Sequence, residues 1–180
     1  MNEPDAADRL AEQALEHFRQ DQFQTALDEF REARALFTAD SMRVRAAEMA
    51  NNIAVTLIQL NRPQEALEAL AGTAAIFAEA GEQRLQAQAI GNEAAVYESL
   101  DQPERALELY QRSLRLFDEI DDEEARSYTL QALSRLQLKG GQPFQALDSM
   151  QAALDARPRR GLIGRIIKGL LRLPGRLFNR

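Results

Sequence analysis

Few residues in this sequence could carry covalent chemistry. Histidine occurs once, at His17, and cysteine is absent. Without a thiol there is no disulfide, no thiolate metal site and no cysteine nucleophile. His17 stands at the helical phase held by Leu57, Tyr97 and Gln137, which marks a packing position rather than a general base. The acidic run Asp118, Glu119, Asp121, Asp122, Glu123 and Glu124 could attract a divalent cation. It lacks the glycine turn of a calcium loop and reads better as solvation of a junction between units. No glycine-rich phosphate loop and no His/Glu cluster with metal spacing is present. The expectation is a protein that is no enzyme and holds no cofactor and no metal.

The remaining chemistry is that of binding. Asn52 and Asn92 lie 40 residues apart, and an amide that both donates and accepts can pair with a ligand's peptide groups whatever its side chains. An exposed helix face can equally use asparagine as polar cover. The second binding element is residues 159–180. Residues 157–180 hold eight of the 22 basic residues and none of the 28 acidic ones, so they carry +8 while residues 1–156 carry −14. On a helix at about 100° per residue, Arg165, Lys168, Arg172 and Arg176 fall within roughly 80° of one another. Leu162, Ile163, Ile166, Ile167, Leu170, Leu171, Leu173, Leu177 and Phe178 cover the opposite half.

A cationic face against a broad apolar face is the pattern of a helix lying flat on an anionic bilayer, each cation adding about 1 kcal/mol. Glycines at 161, 164, 169 and 175, with Pro174, weaken that helix in water. The four charges exclude a membrane span. Other uses stay open: a cap on the preceding helices, docking onto the acidic body or into its groove, and nucleic acid. Against the last, the apolar half would be left bare and only Phe178 could stack.

The elements that position these groups repeat. Ala26-Leu27, Ala66-Leu67, Ala106-Leu107 and Ala146-Leu147 recur every 40 residues. The same interval links Phe37, Phe77 and Phe117; Phe30, Leu70, Tyr110 and Met150; and Ala14, Ala54, Ala94 and Ser134. Pro63, Pro103 and Pro143 keep it as well, with Phe23 in the first copy. A fixed interval without insertions means one structural unit stacked on itself.

Within a unit, apolar residues step by three and four, as in Ala47, Ala50, Ile53, Ala54, Leu57 and Leu60. Asn61-Arg62-Pro63 breaks that run, and a back helix continues through Ala66, Leu67, Leu70, Ala74 and Phe77 to about Gly81. The small residues let paired helices approach closely, while Phe30, Leu70, Tyr110 and Met150 are expected to fill the gaps between pairs. The fold class is all-α: a solenoid of four helix hairpins over 1–158 (about 6–40, 41–81, 82–121 and 122–158), then a basic amphipathic helix over 159–180.

With its third copy reading Ile90, Ala94, Tyr97, Ala106, Tyr110 and Ser113, the sequence resembles the tetratricopeptide repeat family. It lacks that family's tryptophan, puts Ala or Ser at its glycine, and has 40 residues per unit rather than about 34. The longer unit is similar to the extended variety of kinesin light chain and of bacterial peptide-sensing regulators. A HEAT-like array is the other two-helix solenoid.

The resemblance implies a concave groove, lined by the first helix of each unit, that receives an extended peptide or a partner helix. Carried over by phase, the groove residues are Asp8, Glu12 and Arg19; Glu48, Asn51, Asn52 and Gln59; Gln88, Asn92 and Glu98; and Tyr128, Gln131, Arg135 and Lys139. Asparagines at such places in extended repeats act as backbone clamps. The first three units offer Arg19 among acids, so the partner is expected to be neutral or basic rather than acidic.

The function expected is a protein-binding scaffold or adaptor attached by Ile163, Arg165, Ile166, Ile167, Lys168, Leu170, Leu171, Arg172, Arg176, Leu177 and Phe178 to an anionic membrane. The alternative is a soluble adaptor or homo-oligomerisation module whose tail caps the solenoid or docks on itself. An acidic start without a secretory signal and the absence of cysteine fit a reducing cytosol, so the expected location is cytoplasmic, peripheral on the inner membrane face. Twenty arginines against two lysines suggest a bacterial source.

Overall fold

The computed structural model describes residues 6–156, and the turns explain its architecture. Asp21, Ser41, Asn61, Gly81, Asp101, Asp121 and Gly141 all have φ between 54 and 75°. Seven left-handed residues thus stand at 20-residue intervals, each an Asp, Asn, Ser or Gly, types that reach this conformation through local hydrogen bonding or lack of a Cβ.

Each closes the same hydrogen-bonded C-cap. The next amide reaches back five residues, as in Gln22 N–H to the His17 carbonyl (2.9 Å) and Gln142 N–H to that of Gln137 (2.9 Å). The left-handed residue itself reaches back three, as in Asp21 N–H to Phe18 (3.1 Å). Both bonds satisfy carbonyls that a helix end would otherwise leave open. A helix plus such a turn takes 20 residues, and two make the 40-residue unit.

The helices are α1 (Ala6–Arg19), α2 (Phe23–Ala39), α3 (Arg43–Gln59), α4 (Pro63–Leu70), α5 (Thr73–Glu79), α6 (Gln83–Ser99), α7 (Pro103–Glu119), α8 (Glu123–Lys139) and α9 (Pro143–Ala156). No strand occurs among the described residues. Pro63, Pro103 and Pro143 open their helices, where a missing N–H costs nothing. Helices pack on their sequence neighbours, α1 on α2, α2 on α3, α3 on α4, α5 on α6, α6 on α7, α7 on α8 and α8 on α9, while α4 and α5 both lie against α3.

The core keeps the repeat. Ala14, Ala54, Ala94 and Ser134 are buried, as are Ala26, Ala66, Ala106 and Ala146. The Ser134 hydroxyl donates to the Ala146 carbonyl at 2.7 Å across the α8–α9 crossing. Phe37, Phe77 and Phe117 are buried too, each contributing about 1.5–3 kcal/mol.

Three expectations need correction. The back helix of the second unit is not continuous: Gly72 at φ 75° separates α4 from α5. Thr73 and Phe77 remain buried, so the break adds no residue and the phase survives it. Met150 does not fill a gap between pairs; it is 37% exposed, because no described helix packs on that side of α9. His17 is half-buried, and its Nδ1 lies 2.7 Å from the Glu29 carboxylate, which makes it a polar tie between α1 and α2. Residues 159–180, with the amphipathic helix expected there, lie outside the described residues.

Candidate partner-binding cleft

The third and fourth units place α6 and α8 side by side over α7. Ion pairs join the two helices at both ends. Near the start of each, Arg84 Nε donates to Asp122 at 2.7 Å. Near the finish, Lys139 Nζ donates to Glu98 at 2.6 Å. Asp122 also accepts from the Ala125 amide at 3.0 Å, capping α8. Burial works against ionisation of its carboxyl, yet the Ala125 N–H and Arg84 outweigh that and hold it below the ordinary range.

Between these struts the facing residues are small. Gly91 and Ala95 of α6 oppose Ala125, Thr129 and Ala132 of α8, and a cavity of about 300 Å³ opens there. Tyr110, Ser113 and Phe117 of α7 contribute to its lining. Ser113 is held by its own hydrogen bond to the Ala87 carbonyl (2.8 Å). Burial pushes the Tyr110 phenol well above its ordinary pKa, and the Glu98 charge adds to that, so the phenol stays protonated. Gln88, Asn92, Tyr128 and Arg135 supply the polar and aromatic lining. Tyr128 is 65% exposed.

Why the cavity forms here is visible in the repeat. The place of Gly91 is taken by Asn51 in α3 and Ala11 in α1, and that of Thr129 by Met49. Met49 and Asn51 are both buried, so larger side chains occupy the equivalent space. A Cβ on Gly91 would come within 3.2 Å of the Ser113 hydroxyl.

The structure therefore gathers four of the expected groove residues, Gln88, Asn92, Tyr128 and Arg135, around one cavity. Glu98 and Lys139 bind each other. Glu48 and Asp8 are both held by Arg45, which also lies 4.9 Å over the Phe37 ring and so ties α1 to α3. Gln131 donates to the Ser127 carbonyl at 3.2 Å.

Glu12 and Gln59 are exposed, and Arg19 is exposed beside Glu16 at 3.6 Å. Asn52 is half-buried one unit away from Asn92. Asn51 departs from expectation: it is 7% exposed, and its buried Oδ1 has no hydrogen-bond partner. It packs inside the repeat instead of facing a ligand. The floor residues Tyr110, Ser113 and Phe117 and the small wall residues were not anticipated as site residues. Aligning the units would have exposed Gly91 against Asn51 and Gln131.

A profile of the Tetratricopeptide repeat family matches residues 45–119 and 85–159. Among curated proteins none matches the chain in sequence. Solved structures with a similar fold include BtubC (BKLC) from P. vanneervenii, with a TM-score of 0.74 at 18% identity over 89% of this chain and 71% of that one. Aspartyl phosphate phosphatase F from Bacillus subtilis gives 0.76 at 14% identity, over 83% and 39%. A Rap protein complexed with Competence and Sporulation Factor gives 0.78 at 17% identity, over 83% and 42%. The chain thus spans about two fifths of the length of the last two. At these identities the likeness is one of fold.

Proposed function

The chain belongs to the tetratricopeptide repeat family, and from that premise we propose that it is a protein-interaction scaffold that works by binding rather than catalysis. The observation that carries the reading is the cavity between α6 and α8. A partner peptide lays its backbone along these helices and inserts one apolar or aromatic side chain between Gly91 and Ala132. Gln88 and Asn92 hydrogen-bond its peptide groups, and Tyr128 covers the inserted side chain. At about 300 Å³ the space is large enough to take one anchor side chain. A similar fold holds a bound factor in the Rap complex, which supports a peptide or protein as occupant.

The partner is neutral or basic, since residues 1–156 carry −14 and opposite fields speed encounter. Glu12, Asn52 and Gln59 extend the same surface toward the first unit. Selection from a random peptide library on the full chain tests this: the recovered peptides should share one apolar or aromatic residue in a neutral or basic setting. Recovery of no common motif contradicts the reading.

The second part of the proposal is cytoplasmic, membrane-peripheral attachment through residues 159–180. No helix among the described residues is long and apolar enough to cross a membrane, so attachment rests on the cations and on the apolar residues opposite them. Binding to anionic vesicles should fall with salt and disappear when the chain is cut before Arg159. Binding that survives the cut, or none at low salt, favours the soluble adaptor or homo-oligomer. One observation favours part of that second reading: α9 has an uncovered apolar stripe.

A further inference from the structure

Phe144 (82% exposed), Leu147 (66%), Met150 (37%) and Leu154 (52%) line one side of α9 at helical spacing. One unit earlier the counterparts of Leu147, Met150 and Leu154 behave differently. Leu107, Tyr110 and Leu114 of α7 join Leu133 and Leu136 of α8 in a single apolar cluster. A back helix is thus covered by the first helix of the next unit.

The turn interval carries on past α9. Left-handed residues stand at 21, 41, 61, 81, 101, 121 and 141. The next place in that series is 161, and residue 161 is glycine, the type that takes this conformation most readily. Pro174 then limits how far a helix begun there can run, because the residue before a proline is pushed out of helical geometry. The interval available is residues 162–173, about 18 Å of helix, which in the register of α8 on α7 reaches the part of the stripe at Met150 and Leu154.

The register fits as well. First-helix positions that meet the preceding unit are those exposed in α1 but buried later. Gln13 is exposed where Ile53 and Leu133 are buried, and Glu16 is exposed where Thr56, Val96 and Leu136 are buried. Forty residues beyond Leu133 stands Leu173, and forty beyond the buried Leu130 stands Leu170. Ile166 holds the half-buried place of Ala46 and Gln86. Only Arg176, in the place of Leu136, departs, and it lies past Pro174.

We propose that residues 162–173 of the same chain dock on the α9 stripe as the first helix of a fifth, half-complete unit, with Leu173 covering Met150 and Leu170 covering Leu154. The inference rests on the 20-residue turn series and not on lipid attachment. Docking buries Leu170, which lipid attachment also uses, so a helix seated on α9 has to leave it to bind a vesicle. The test contains no lipid, and its failure leaves vesicle binding untouched.

Because the sequence contains no cysteine, a pair can be introduced into the full chain. Met150→Cys with Leu173→Cys places thiols at the counterparts of Tyr110 and Leu133, which share a cluster. The control, Met150→Cys with Leu171→Cys, puts the second thiol on the far side of the segment. Under mild oxidation the first pair should close within one chain at least about tenfold faster than the control, since thiols held far apart or facing away cannot bridge. Amide exchange in α9 should also be slower in the full chain than after truncation at Arg160. Equal rates for the two pairs, disulfides that form between chains, or α9 exchange unchanged by truncation would each overturn the proposal.

Discussion

Tyr128 is 65% exposed on the helix that also turns Ala125, Thr129 and Ala132 toward α6. An exposed aromatic at the mouth of an apolar cavity contributes to binding by covering what enters, and such residues dominate interface energetics. Tyr128→Ala should weaken a library-selected peptide about tenfold or more while leaving thermal unfolding nearly unchanged. An unchanged affinity would remove Tyr128 from the contact. Residue identity alone was a partial guide. The phase that pointed to Gln88, Asn92, Tyr128 and Arg135 also pointed to Asn51, which is buried, and to Glu98, which is occupied by Lys139. Phase fixes which way a position faces, but the size of its neighbours decides whether that face stays open.

Among the elements, the helices and turns arise from local chemistry. Asp, Asn, Ser and Gly at 20-residue spacing end each helix, and proline opens three of the back helices. Gly72 is the exception: the apolar phase runs through it unbroken, and an isolated glycine is tolerated inside many helices, so the α4–α5 break had no clear signal. Asp122 ties two elements at once, capping α8 and holding Arg84 of α6. Asp122→Ala should cost about 1 kcal/mol and lower the unfolding midpoint by about 2–4 °C. A carboxyl more acidic folded than unfolded stabilises the fold above its unfolded pKa of about 3.9. That contribution is lost as pH falls through the folded value. The gap between variant and parent should therefore close in acid. A gap that persists there would mean that the cap and the Arg84 pair are not its source.

At the scale of the whole molecule, the solenoid was legible because a period kept through four units leaves few arrangements that bury every apolar face. The location of the cleft was not. The same groove phase occurs between α1, α3 and α6, where Met49 and Asn51 take up room, and only between α6 and α8 do Gly91, Ala95, Ala125 and Ala132 coincide. The repeat gives the scaffold its form, and in the proposed reading one local set of small residues gives it a place to hold a partner. Repeating the peptide selection on the full chain carrying Ala95→Leu, with unfolding used to confirm that it is folded, isolates that place. Leucine takes up room in the cavity that Ala95 lines, so the shared apolar or aromatic anchor should vanish from the recovered peptides. Recovery of the same motif at the same strength would show that partners bind elsewhere on the molecule.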